Sequence, residues 1–395
     1  MKKGLRMLGL CCLCAAAVSA CVSCGETATE SKFGFIFLHD ENSSYDKNFI
    51  EAAKAACEKK GVTAVMKTGV EEGAACYDAA ADLVDQGVKA VFADSFGHES
   101  YMIQAAKEFT NVEFCHATGV KAHTEGLDNY HNAFASIYEG RYIAGVAAGM
   151  KLNEMIANNE ITASEAVMGY VGAFPYAEVV SGYTSFFLGA RSVCSSVTMN
   201  VRYTNSWYSV TEEASAATAL IENDNAVLIS QHADSQGAPG VCESKGVPNV
   251  FYNGSNLESS PKTYLTASRI NWEPYFEYMI DSVLAGTTMA SDWTGTLDSG
   301  SVEVYELNSA IAASGTQAAM DTAKSNLESG KIHVFDTDTF TVGGEKITSY
   351  KADIDDAGDY QGETEVIKDG YFHESEYRSA PAFDLRIDGI TEITK

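Results

Sequence analysis

From Lys32 onward the chain alternates short apolar runs with segments of helical periodicity, and this alternation constrains the fold more than any other feature. Phe33–Leu38 is the first apolar run, and the helical segment after it places Phe49 and Ala53 on one face. Further apolar runs follow helical segments at 62–66, 88–93 and 112–115. Strands that alternate with helices predict βαβ units and a parallel sheet covered on both faces.

The same pattern begins again after Phe134, with apolar runs at 167–173, 198–203, 226–230 and 248–253. No Gly/Ser-rich linker separates the two halves, so we predict an α/β fold of two doubly wound lobes. Lobe 1 is expected to contain residues 32–133 plus about 254–290, and lobe 2 residues 134–253 plus about 291–340. Val302–Leu307 and Lys331–Phe335 are predicted as strands, and residues 341–395 form an unassigned C-terminal extension. Ligands bind such sheets beyond the carboxyl ends of the strands, which indicates a cleft between the lobes.

The first 25 residues have the layout of a secretory signal, with a basic start, a short apolar stretch and then small residues. Val18-Ser19-Ala20-Cys21 resembles a bacterial lipobox, in which the cysteine is lipidated and becomes the first mature residue. We therefore predict a signal peptide over residues 1–20, lipidation at Cys21 and a polar tether over 21–31. A diacyl anchor would hold the protein on the extracytoplasmic face of a bacterial cell membrane. An ordinary signal peptide is the alternative.

Composition and motifs argue against several function classes. With 27 Lys and Arg against 54 Asp and Glu, the chain lacks the positive charge that a sequence-independent nucleic-acid binder needs. No phosphate-binding glycine motif, nucleophile elbow or HExxH sequence occurs, and the cysteines from Cys57 onward are isolated. We expect no enzyme, cofactor or metal site. One hydrolase alternative remains, built on Asp40, Ser235 and a histidine. The acidic stretch 353–365 is interpreted as a solvated loop, because Ala357 and Thr364 stand where a calcium loop needs oxygen ligands and a glutamate.

Aromatic residues follow the predicted strands or precede the helices, where a ligand in the cleft would lie. They are Tyr45, Phe96, Phe174, Trp207 and Tyr208. Each one alone is more often a packing residue, but several at strand ends favour a flat aromatic ligand, since ring stacking adds about 0.5–1.5 kcal/mol beyond area burial.

An ordered series of segments resembles the basic membrane protein (BMP) family, the purine-receptor-like substrate-binding lipoproteins of bacterial ABC transporters. The segments are Tyr45–Phe49, Asp94–Gly97, His116–Gly119, Tyr138–Gly145, Ala173–Pro175, Glu178–Val180, Asn205–Trp207, Gln231–Ser235 and Asn271–Tyr275. The resemblance covers roughly residues 32–335. It implies a type I periplasmic-binding-protein fold, in which two lobes joined by three crossovers close on a ligand.

The resemblance also implies a set of ligand-binding residues. Trp207 matches the stacking aromatic of the family and Phe49 the aromatic of the opposing lobe, while Glu178, His232 and Asp234 are candidates to read the edge of a base. The full predicted set is Tyr45, Phe49, Asp94, Ser95, Phe96, Phe174, Glu178, Trp207, His232, Asp234, Asn256, Asn271 and Trp272. Asn256 and Ile270 stand where nucleoside-binding members carry an Asp and a Lys for ribose, and Asn271-Trp272 is similar to the nucleobase-binding branch.

The expected function is therefore capture of a purine, a nucleobase such as adenine in preference to a nucleoside, for delivery to an ABC permease by a monomeric lipoprotein. The alternatives are a sensory lipoprotein with a similar ligand, a sugar-binding member of the same fold and, less favoured, a nucleoside hydrolase-like enzyme.

Overall fold

The computed structural model describes residues 30–355 and 361–393. The helices are α1 (Ser44–Lys60), α2 (Ala74–Asp85), α3 (Glu99–Glu108), α4 (Ala122–Glu125), α5 (Ile137–Ala157), α6 (Ala177–Val193), α7 (Val210–Glu222), α8 (Gly237–Lys245), α9 (Glu273–Ala285) and α10 (Thr316–Glu328). The strands are β1 (Lys32–Ile36), β2 (Thr63–Lys67), β3 (Val88–Ala93), β4 (Glu113–Ala117), β5 (Tyr130–Ala135), β6 (Val167–Gly172), β7 (Thr198–Tyr203), β8 (Leu228–Gln231), β9 (Asn249–Tyr252), β10 (Tyr264–Ile270), β11 (Asp292–Gly295), β12 (Val302–Val304), β13 (Lys351–Ala352), β14 (Thr364–Glu365), β15 (Ile367–Lys368), β16 (Tyr371–Phe372) and β17 (Ile390–Glu392).

Two parallel sheets form the cores of two α/β lobes, which confirms the predicted fold class. The first sheet has the strand order β11-β5-β4-β3-β1-β2, and the second has the order β12-β10-β9-β8-β6-β7-β17. Only β12 runs antiparallel to its neighbour within these two sheets. The predicted signal peptide, the lipobox cysteine Cys21 and most of the tether lie outside the described residues.

Local sequence signals explain where the elements begin and end. The Ser43 side chain accepts a hydrogen bond from the Asp46 amide at the start of α1, and Gly61, with φ 64°, ends that helix. In the second lobe α5 and α6 pack closely because Gly145 and Gly189 bring their backbones together. A Cβ at either position would lie about 2 Å from a carbonyl oxygen of the other helix.

Three chain segments cross between the lobes, after β5, β10 and β11, and hydrogen bonds join them. The Ser136 amide donates to the Gly295 carbonyl at 2.8 Å, and the Asn271 amide donates to the Ser301 carbonyl at 2.8 Å. The Asn271 side chain adds a bond to the Gly300 carbonyl at 3.1 Å. The crossings therefore form one hinge region.

The lobe boundaries expected in the last third of the chain need correction. The strand β10 was expected in lobe 1, yet it lies in the second sheet beside β9, and β11 returns to the first sheet beside β5. An apolar run carries no signal that distinguishes one parallel sheet from another. The strand expected at Val302–Leu307 ends at Val304, and Lys331–Phe335 forms no strand. Phe335 instead stacks on Phe383 of the extension, with ring centroids 4.2 Å apart.

The C-terminal extension packs onto the lobes. Its last strand, β17, adds a parallel strand to the edge of the second sheet beside β7, and two short hairpins precede it. Asp353, Asp355 and Glu363 place carboxylate oxygens within 4.8 Å of one another, while residues 356–360 of that loop lie outside the described residues. No described helix is both long and apolar enough to cross a membrane.

Candidate ligand-binding cleft

A cavity lies between the lobes at the carboxyl ends of their strands. Its lining residues end a strand, lie in the loop after one, or lie in the first turn of the helix that follows, as expected for a doubly wound sheet. The first lobe contributes Leu38, His39, Tyr45, Asp46, Ser95, Phe96 and Thr118. The second lobe contributes Glu178, Trp207, His232, Asp234 and Tyr252.

Direct contacts across the cleft show that the lobes are closed. The amide and hydroxyl of Ser44 donate to the Asp234 carbonyl at 3.3 and 3.1 Å. The Asn48 side chain donates to the Asn253 side chain at 3.1 Å. Phe96 of the first lobe stacks on Tyr176 of the second, with centroids 5.1 Å apart.

Two carboxylates of the first lobe interact, and their surroundings shift their pKa values in opposite directions. Burial works against the ionised form of Asp46, but hydrogen bonds from His39 and Ser43 outweigh it and lower the pKa of Asp46. The His39 amide donates to Asp46 at 2.7 Å. Burial, and then the charge of Asp46, raise the pKa of Asp94 well above its usual value. Asp94 accepts the Leu38 amide through Oδ1, while Oδ2 has no partner among the described residues.

In the second lobe a chain of hydrogen bonds orients a histidine at the cavity wall. The Arg141 guanidinium donates to the Gln231 carbonyl at 2.8 Å and to Nδ1 of His232 at 3.2 Å. Arginine only donates, so Nδ1 is the acceptor and Nε2–H of His232 donates to Glu178 at 3.2 Å. Burial lowers the pKa of His232, which favours the neutral ring. The Arg141 guanidinium also lies 3.2 Å from the Tyr252 ring centroid.

Asp234 is buried, and no side-chain hydrogen bond from the described residues reaches its carboxylate. Burial first, and then the charges of Asp46, Glu213 and Glu178, raise the pKa of Asp234 well above its usual value. Its backbone is held firmly, since the Asp234 amide donates to the Trp207 carbonyl at 2.9 Å. A carboxylate that lines a cavity without a protein partner is available to accept hydrogen bonds from a ligand.

Glu213 of α7 joins the two loops that carry Trp207 and Asp234. It accepts the Ser209 amide at 3.1 Å and the Ser235 amide through both oxygens at 3.1 Å. Glu213 is fully buried, and burial raises its pKa to about 7. Sequence reasoning gave no sign of this residue, because only the fold brings Ser209 and Ser235 to the same carboxylate.

A row of aromatic rings runs from the cavity to the mouth of the cleft. Trp207 packs edge-on against Phe174 at 5.1 Å, and Phe174 stacks on Tyr176 at 5.2 Å. Trp207 lines the cavity, whereas Phe174 supports it from behind. Tyr45 lies on the opposite wall, where its hydroxyl donates to the Asp94 carbonyl at 2.8 Å. The cavity therefore presents aromatic rings from both lobes.

The structure brings seven of the thirteen predicted site residues to the cavity wall: Tyr45, Ser95, Phe96, Glu178, Trp207, His232 and Asp234. It places Phe49 and Trp272 elsewhere. Phe49 is fully buried and stacks on Trp272 at 4.3 Å in the core of the first lobe. Tyr45 and Phe96 are the cavity aromatics of that lobe. Phe174 and Asp94 stand one layer behind the wall.

Two predicted amides do not line the cavity. The Asn256 carbonyl accepts the Ser260 amide at 2.8 Å in the turn before β10. The Asn271 amide and side chain donate to the Ser301 and Gly300 carbonyls in the hinge region. An alignment by sequence pattern does not reveal which side of a loop faces the cleft.

Five lining residues were absent from the predicted set: Leu38, His39, Asp46, Thr118 and Tyr252. For all but Asp46, which lies in the first turn of α1, a position at or just after a strand end is the signal that could have identified them. The hydrolase alternative finds no support, since the exposed Asp40 accepts the Asn42 amide and the buried Ser235 hydroxyl accepts the Gly237 amide.

Together the two lobes, the hinge and the closed cavity define a solute-binding protein of the type I periplasmic-binding-protein fold. Residues 37–342 match the family described as "Bmp: ABC transporter substrate-binding protein PnrA-like", and the chain belongs to this family. Proteins of this family bind small molecules for ABC permeases on the extracytoplasmic side and are not enzymes.

Three known proteins illustrate the relationship. "Purine-binding protein BAB2_0673" of Brucella abortus is 34% identical over 264 residues, which cover 67% of this chain and 69% of that protein. "Putative ABC transporter glucose-binding protein TsgA13" of Haloferax volcanii is 32% identical over 213 residues, covering 54% and 50% of the two chains. A solute-binding protein structure from Aeropyrum pernix has a TM-score of 0.65 at 12% identity, covering 77% of this chain and 93% of that chain.

Proposed function

We propose that this ABC transporter substrate-binding protein captures a purine between its lobes, a nucleobase such as adenine in preference to a nucleoside. The observation that carries the proposal is the buried Asp234 carboxylate, which faces the cavity beside Trp207 and has no protein hydrogen-bond partner among the described residues. A purine offers a flat ring for Trp207 and N–H donors for the carboxylate. Glu178, already bonded to His232 through one oxygen, is a second acceptor at the same wall.

The charges of the cavity support an uncharged ligand. No Lys or Arg of residues 30–355 and 361–393 lines it, while Asp46, Glu178 and Asp234 do. A phosphorylated nucleotide would need cationic partners. The family's ribose clamp includes a Lys, so its absence from the wall favours the free base. The 34% sequence identity to a relative named a purine-binding protein also supports a purine ligand.

A sugar is the second candidate ligand, because the Haloferax relative is named a putative glucose-binding protein. Trp207 could stack on a pyranose, and carboxylates accept hydrogen bonds from sugar hydroxyls. The purine is favoured because the match to the purine-binding relative extends over a larger share of both chains. A sensory lipoprotein with the same ligand would have the same cleft and would differ only in its partner.

A thermal-shift panel tests the ligand class. The protein is stripped of bound ligand by unfolding and refolding, then melted with adenine, guanine, xanthine, adenosine, inosine, uracil, glucose and ribose. A ligand at 100 times its Kd stabilises the fold by about 2.7 kcal/mol, which raises the melting temperature by several degrees. A shift with purine bases alone supports the proposal. A shift with glucose or ribose and none with purines overturns it.

We also propose that the protein is a monomer anchored to the outer face of the membrane by lipid on Cys21. The supporting observation is the lipobox-like Val18-Ser19-Ala20-Cys21. Cys21→Ala is expected to move the protein from the membrane fraction to the soluble fraction without changing ligand affinity. An unchanged distribution would show that lipidation at this cysteine does not anchor the protein.

A further inference from the structure

Part of the C-terminal extension contacts both lobes within ten residues. We call residues 374–383 the strap. They lie beyond residues 37–342, the part of the chain that matches the family. The strap follows β16 and precedes β17, so the chain leaves the second lobe, reaches the first and then returns to the edge of the second sheet.

The strap is fixed to the second lobe at Glu374. The Ser181 hydroxyl of α6 donates to the Glu374 carboxylate at 2.7 Å, and the Tyr138 hydroxyl of α5 donates to the Glu374 carbonyl at 3.1 Å. The other carboxylate oxygen accepts the Ala382 and Phe383 amides at 3.0 Å, which ties the two ends of the strap together. Glu374 is buried.

The strap is fixed to the first lobe at Ser379. The amide and the hydroxyl of Ser379 both donate to the Asp292 carboxylate of β11 at 2.8 Å. The Thr294 hydroxyl of the same strand donates to the Ser375 carbonyl at 3.3 Å. Ser379 is fully buried, so water does not readily replace these bonds.

The strap also lies beside the ligand cavity. With both lobes it borders an open side chamber, to which Arg378 and Ala380–Ala382 contribute. The chamber and the ligand cavity share Phe96, Thr118 and Glu178 as lining residues. Because the strap contacts both lobes, separating the lobes must move the strap as well as the hinge.

We propose that the strap limits how far the two lobes separate in the ligand-free protein. The five residue steps from Glu374 to Ser379 span at most about 18 Å when fully extended. Lobe separation beyond that reach requires the bonds of Ser375 and Ser379 to the first lobe, or those of Glu374 to the second lobe, to break. The strap thus keeps the empty cleft narrower than the three hinge crossings alone would allow.

The test measures the distance between the lobes in ligand-free protein, so it does not depend on the identity of the ligand. Spin labels are placed at Asp85→Cys on α2 and Asn223→Cys on α7, both exposed, and distance distributions are recorded by pulsed electron paramagnetic resonance. The variant Asp292→Ala/Thr294→Val removes the first-lobe anchor. We expect its mean distance to exceed the wild-type value by several ångströms and its distribution to broaden.

His123→Ala is the matched control, because His123 also pairs with Asp292, at 3.2 Å, but does not contact Ser379. It is expected to leave the distribution unchanged. Ser181→Ala/Tyr138→Phe removes both second-lobe bonds of Glu374 and should lengthen the distance in the same direction. Circular dichroism melts confirm that each variant is folded. Distributions that superimpose on wild type in both folded anchor variants would overturn the proposal, as would equal lengthening by His123→Ala.

Discussion

Replacing Asp234 by Asn is expected to stabilise the ligand-free protein against unfolding and to lower its affinity for the ligand. The Asp234 carboxylate is buried, has no side-chain partner among the described residues, and lies near Asp46, Glu213 and Glu178. These conditions raise its pKa well above the unfolded value. When the pKa of a carboxyl group is higher in the folded than in the unfolded protein, the free energy of unfolding falls as pH rises from the unfolded towards the folded pKa.

The sign of the stability change follows from this linkage. At pH 4 the wild type and Asp234→Asn should melt at similar temperatures, because the carboxyl group of the folded protein is protonated. At pH 8 the variant should melt higher, because it carries no buried charge beside Asp46 and Glu178. A hydrogen bond between a ligand N–H and a carboxylate contributes about 1.5–3 kcal/mol. The Asn amide oxygen can still accept a neutral hydrogen bond, so the variant loses the difference, about 1–1.5 kcal/mol, and should bind adenine about 5- to 13-fold more weakly.

The assay pairs melting curves from pH 4 to 8 with calorimetric titration of adenine. Asp40→Asn is the matched control, since it makes the same substitution at an exposed carboxylate near the cleft. It should change neither quantity appreciably. If Asp234→Asn melts lower than wild type at pH 8 and binds adenine equally well, Asp234 has a structural role and the assignment of a ligand acceptor is wrong.

Three further predictions concern other parts of the site. Trp207→Ala should weaken purine binding by about 1–3 kcal/mol, while Trp207→Phe keeps a stacking face and most of the affinity. If calorimetric titration gives both variants the same purine affinity, Trp207 does not stack on the ligand. Burial raises the pKa of Glu213 to about 7, so ionisation of Glu213 lowers the stability of the fold as pH rises from about 4.5 to about 7, by about 3 kcal/mol at most, and Glu213→Gln should flatten the fall in melting temperature over that range. An unchanged slope would contradict that assignment. Arg141→Met should lower the free energy of unfolding by several kcal/mol, because it removes the guanidinium that donates to the Gln231 carbonyl and to His232 Nδ1. Denaturant titration measures this loss, and a loss below about 1 kcal/mol would contradict a stabilising role for these hydrogen bonds.

The sequence predicted the parts of the fold that depend on local periodicity. Alternating strands and helices were sufficient for two parallel lobes. The rule that ligands bind beyond strand ends pointed to Trp207, and the family resemblance supplied Ser95 and Asp234; all three line the cavity. Sequence reasoning failed to tell which residues of a segment face the cavity, because that depends on how the segments pack in three dimensions. Phe49 was assigned to the cavity by a family pattern, yet one turn of α1 separates Tyr45, at the wall, from Phe49, in the core.

The C-terminal extension could not be predicted for a different reason. Its strands contain only two or three residues, too few for a periodic signal, and their positions depend on docking against the lobes. Glu374 illustrates the difficulty, because a glutamate is expected at the surface, yet it is buried and its carboxylate accepts hydrogen bonds from one hydroxyl and two backbone amides. Burial raises its pKa to about 7.

The central claim, purine capture in the closed cleft, is tested most directly by calorimetric titration of the ligand-free protein with adenine, adenosine and glucose in parallel. The account predicts the tightest binding for adenine, weaker binding for adenosine, and a negative heat-capacity change as the aromatic walls of the cavity bury the base. Tightest binding of adenosine would retain the purine and refute the preference for a base. Saturable binding of glucose with none of either purine would contradict the account.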